Sequence, residues 1–163
     1  MTTHRLSIMP MGGTGGLSYY LTMTNQLIGQ AVVFMDSDNA ANQAINKALD
    51  QHLINNQNYL LCTCDGMKYA EFEDSIAINI YRQAVIDKYD VDLDTGKMKN
   101  KSKVWSENVK EIFNDAGKIW NEDVEKDIKY LVASCVNNNA TNAVDDSKCK
   151  VINKLVSIIE SKL

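Results

Sequence analysis

Two short acidic stretches are where this sequence could do chemistry. Asp36 and Asp38 follow directly on the apolar run Ala31-Val-Val-Phe-Met35, and Glu71, Glu73 and Asp74 fall at the start of a helix expected over about 70–89. Carboxylates two apart, just past a rigid strand, can share one space beyond the sheet, and oxygen-rich groups of that kind suit magnesium or manganese. Each stretch also has an ordinary structural use. Aspartate favours turns and helix N-caps, and acids near a helix N-terminus offset its macrodipole. One metal site accounts for both stretches at once, whereas the structural uses must hold twice over.

Other motifs are weaker. The turn Gly12-Gly-Thr-Gly-Gly16 could bring backbone N–H groups near a phosphate, but it is neither a P-loop nor a full dinucleotide fingerprint, and a tight turn is its plainer use. Lys97, Lys99, Lys101 and Lys103 form a basic run in a polar loop, either solvated or set against a nucleic-acid backbone. Cys62, Cys64, Cys135 and Cys149 lack the paired CxxC spacing of a zinc site and read as reduced thiols, mostly core. His4 and His52 show no metal-ligand spacing, and no Ser-His-Asp or Cys-His arrangement is present. Trp105 and Trp120 stand near helix starts, as packing anchors.

The acids must be positioned by the elements before them. Residues 5–9, 31–35 and 58–64 read as short strands, the second apolar throughout as in a strand buried on both faces. Helices are expected over 17–27, 39–55 with Asp38 or Asn39 as its cap, and 70–89. Strands alternating with helices predict a short parallel sheet of about three strands with right-handed crossovers. The loops 10–16, 36–39 and 65–71 then leave its carboxyl edge, where sites form in open parallel sheets. Beyond residue 90 the pattern is helical, over about 104–116, 121–136 and 146–162. This divides the chain into an α/β metal-site core, 1–90, and a helical C-terminal extension, 91–163, packed on it.

The bulk composition agrees. The 163 residues are 45% hydrophobic and 23% charged, enough for one domain with its own core. The net charge is -4, and it is concentrated early. Up to residue 76, Arg5, Lys47 and Lys68 face Asp36, Asp38, Asp50, Asp65, Glu71, Glu73 and Asp74; the remainder is balanced. A net negative charge speaks against broad electrostatic nucleic-acid binding, though not against an enzyme that gathers cations. No apolar run spans a membrane and no export signal is visible, so a cytoplasmic protein is expected.

Taken in order, Met9-Pro-Met-Gly-Gly13, Val32-Val-Phe-Met-Asp36-Ser-Asp38 and Ala70-Glu-Phe-Glu-Asp74 resemble the Toprim domain of the OLD-family, Gabija-like ATP-dependent endonucleases. Lys103-Val-Trp-Ser106, Ala116-Gly-Lys118 with Trp120, and Asp127-Ile-Lys129-Tyr-Leu-Val-Ala133 are similar to the helical region that follows Toprim there. The resemblance covers most of the chain. It implies a partial Toprim-like three-layer α/β fold, with Asp36, Asp38, Glu71 and Glu73 as ligands of Mg2+ or Mn2+, Asp74 nearby, and Lys129 as the catalytic lysine beside the scissile phosphate. DNA is the implied substrate. The family's first strand with its glutamate, and its ATPase region with a Walker motif, have no counterpart in this sequence.

Three functions compete on this reading. The first is a divalent-metal-dependent DNA endonuclease domain or fragment, of an antiphage-type nuclease. The second is a catalytically incomplete Toprim-like interaction or regulatory subunit that binds a nuclease or ATPase-bearing partner. A homo- or hetero-oligomer is expected in either case, and no membrane. The third is a receiver-like phosphoacceptor domain centred on Asp36, which leaves the second acidic stretch without a task.

Overall fold

The computed structural model describes residues 6–27, 30–144 and 150–162. The chain forms two compact units, residues 1–62 with 151–163, and residues 63–150. The first boundary falls earlier than the division at residue 90 expected from sequence.

In the first unit, helix α1 (Leu17–Leu27) precedes strand β1 (Val33–Met35), helix α2 (Asn39–Asp50) and strand β2 (Tyr59–Leu61). The two strands pair in parallel, Val33 opposite Tyr59 and Met35 opposite Leu61. Two further bonds extend the ladder, from Val33 N–H to the Asn58 carbonyl (2.8 Å) and from Cys62 N–H to the Met35 carbonyl (2.7 Å). Ala41, Ile45 and Ala48 recur on one face of α2, and they pack with Leu17, Leu21, Val33 and Met35 into a buried core. Asp38 caps α2, its Oδ1 accepting Ala41 N–H at 2.6 Å. The helix stops at Asp50 rather than 55 because His52 turns left-handed (φ 56°) and Leu53 N–H reaches back to the Ala48 carbonyl, a terminating pattern.

The expected first strand is not formed in its described part. Residues 6–9 join no ladder, and Leu6, Ile8 and Met9 are exposed, Ile8 at 85%; Arg5 lies outside the described residues. Two strands therefore make up the sheet among the described residues, and the fold is α/β but mostly helical. Gly12 (φ 67°) and Gly13 (φ 129°) take conformations open mainly to glycine, which makes 12–16 a true tight turn.

In the second unit the helix expected over 70–89 is broken. Two 3₁₀ turns, Phe72–Ser75 and Ile78–Ile80, precede helix α3 (Arg82–Tyr89). Asp74 turns back to accept Glu71 N–H (2.9 Å), and Ile76 then leaves in extended form to bridge Val144. Helices α4 (Trp105–Asp115) and α5 (Glu122–Asn138) follow, with Gly117 at φ 69° beyond the end of α4. Trp105, Val109, Ile112 and Phe113 of α4 pack with Val85, Ile128 and Val132 into a second core, together with Tyr81, Val91 and Leu93. Burying each of the larger side chains contributes about 1.5–3 kcal/mol. Trp120 meets Phe113 edge-on at 5.2 Å, so both tryptophans do anchor packing. Helix α6 (Lys150–Glu160) lies almost wholly in the first unit.

Candidate functional site

Asp36 and Asp38 sit at the carboxyl end of β1, in the first unit. Asp36 is half-buried; Asp38 is exposed and holds the α2 N-terminus through one carboxylate oxygen. A carboxylate has about four acceptor positions, so the cap leaves Asp38 with acceptor capacity.

Glu71, Glu73, Asp74 and Lys129 belong to the second unit, and their geometry follows from a deficit in α4. The first N–H groups of any helix lack intrahelical partners. The N-cap of α4 is Val104, whose side chain accepts nothing. The acids of the preceding turn supply the acceptors. Asp74 Oδ2 takes Trp105 N–H at 3.1 Å, and Glu71 Oε2 takes Ser106 N–H at 2.9 Å. The Ser106 hydroxyl adds a bond to Glu71 Oε1 at 2.8 Å. Negative charge there also suits the helix dipole.

Lys129, on α5, lies against the same carboxylate. Its Nζ stands 3.6 Å from Glu71 Oε1 and 3.4 Å from Glu125 Oε1. The structure thus brings Glu71 and Lys129 together, two residues 58 positions apart in sequence. Glu73 lines a cleft of about 190 Å³ with Asp74, Asp94, Lys99 and the edges of Tyr81 and Trp105. Tyr81 is buried there and accepts Trp105 Nε1–H at 3.0 Å. Burial, helped by the charges of Asp74 and Glu73, pushes its phenol up to about 12.

The basic run is mostly tied down. Lys97 pairs with Asp115 and Lys103 with Glu111, while Lys101 Nζ donates to the Asp65 carbonyl at 2.7 Å. Lys103 holds the Glu111 carboxyl below its ordinary value. Cys62 and Cys64 are buried, with Cys64 Sγ 3.9 Å from Ser75 Oγ, and Cys135 is half-buried; Cys149 lies outside the described residues.

Ser106 and Glu125 were not singled out for chemistry by sequence. Glu125 could have been found from its i,i+4 spacing to Lys129. Ser106 could not, because nothing local links it to Glu71 across 35 residues.

Comparison with protein-family models, curated proteins and solved structures gave no match. Among the described residues no helix is long and apolar enough to cross a membrane. Nor do three or more His, Cys, Asp or Glu side chains form a metal-holding group among them. The donor chemistry still fits a hard cation. Magnesium keeps several of its waters and is commonly bound through one or two carboxylates together with substrate phosphates. Asp36 with Asp38, and Glu71 with Glu73, are carboxylates two positions apart in the sequence.

Proposed function

We propose that this chain is a divalent-metal-dependent DNA endonuclease domain of the Toprim type. The observation that carries the reading is Lys129 Nζ at 3.6 Å from Glu71 Oε1. Metal-assisted phosphodiester hydrolysis uses carboxylates to hold a cation and gains from a nearby cationic side chain that offsets charge building on the phosphate. The Glu71–Lys129 pair provides both on rigid elements. Asp36 with Asp38 in the first unit, and Glu71 with Glu73 in the second, would each be ligands for Mg2+ or Mn2+, which supplies a lowered water pKa and Lewis acidity. Lys129 would face the substrate phosphate, with Glu125 keeping its ammonium near Glu71.

Cleavage of supercoiled plasmid by the purified chain tests this, with magnesium or manganese and an Asp36→Ala control. Metal-dependent nicking that the substitution abolishes is the expected result. Equal nicking by both proteins would remove Asp36 from the site.

A second reading has its own support. Glu71 and Asp74 spend acceptor capacity on seating α4, a structural use of the same acids. On that reading the chain is a catalytically incomplete interaction or regulatory subunit for a nuclease or ATPase-bearing partner. A folded wild-type chain that binds no Mn2+ and cuts nothing would favour it.

A further inference from the structure

We draw no further inference here: the strongest candidate, the cleft of about 190 Å³ in the second unit lined by Glu73, Asp74, Asp94, Lys99, Tyr81 and Trp105, rests on an acidic cluster beside the N-terminus of α4, and nothing else among the described residues shows what it would bind.

Discussion

Asp74 Oδ2 accepts two backbone N–H groups at once, Glu71's at 2.9 Å and Trp105's at 3.1 Å. One carboxylate oxygen thus ties the 3₁₀ turn that carries Glu71 and Glu73 to the first residue of α4, whose indole is 1% exposed in the core. The acids of this turn are therefore placed by the same bonds that start the helix. Disturbing the joint disturbs the fold and the candidate site together.

Removing that joint gives the first prediction. Asp74→Ala leaves two N–H groups without their acceptor, at a cost of about 1–3 kcal/mol. Asp74→Asn keeps a side-chain oxygen and should lose less. Urea unfolding midpoints of the three proteins check this, and an alanine variant as stable as wild type would show that water replaces the carboxylate.

The α2 cap allows charge and structure to be separated at Asp38. Asparagine caps helices about as well as aspartate, so Asp38→Asn should fold with nearly wild-type stability. Asp38→Ala should lose about 1 kcal/mol. If Asp38 holds a cation, both variants lose Mn2+ affinity, because both lose the charge. Affinity that tracks stability, with Asp38→Asn binding like wild type, would reduce Asp38 to its capping role.

What the sequence reveals depends on how local the cause is. The Asp38 cap, the α2 core positions and the stop at Gly117 follow from neighbours within a few residues, and all were readable. The break in the helix expected over 70–89 was not. Glu71 and Asp74 at spacing three do cap a start, but only of the short 3₁₀ turn 72–75, and the same carboxylates also serve the N-terminus of α4, whose own cap position is filled by valine. The apolar residues Leu6, Ile8 and Met9 suggested a strand, but strand formation needs a paired neighbour as well as a pattern. The pairing of Lys129 with Glu71 joins residues that only tertiary packing brings together. The sequence resemblance named both residues as expectations, and local pattern gave no sign of their contact.

Arg82 supplies an acid-side prediction. Its guanidinium reaches Asp92 and, at 3.0 Å, Asp94. The Arg82 bond, with Asp94 N–H in support, holds the Asp92 carboxyl below its ordinary 3.8. A depressed carboxylate stabilises the fold above its unfolded value and loses that stabilisation as pH falls through the folded one. Arg82→Gln should therefore be less stable than wild type near neutral pH, and the gap should close below pH 3.8. Both partners are solvent-exposed, so the gap should be small and should shrink in high salt. Thermal midpoints against pH at two salt concentrations would show this, and a gap that persists unchanged in acid would assign Arg82 a role other than the ion pair.

Tyr81 sets the alkaline limit. Burial, chiefly, raises its phenol from 10.0 to about 12, with the nearby charges of Asp74 and Glu73 adding to the effect and the bond from Trp105 opposing it. The folded state therefore keeps a proton that the unfolded chain releases. Stabilisation from this group is fully present below pH 10.0 and is lost as pH rises to about 12. The change amounts to roughly 2–3 kcal/mol across that interval. Tyr81→Phe cannot ionise, so its stability should fall less steeply there. At neutral pH the variant should be the weaker protein by about 1–3 kcal/mol, because the buried Trp105 Nε1–H loses its acceptor. The two stability curves should accordingly converge between pH 10.0 and 12. Tyr89, also raised to about 12 chiefly by burial, is common to both proteins and drops out of the comparison. Urea unfolding of wild type and Tyr81→Phe from neutral pH upward measures the convergence. Parallel curves would mean that the Tyr81 phenol titrates alike in the folded and unfolded chain, against its burial beside Asp74 and Glu73.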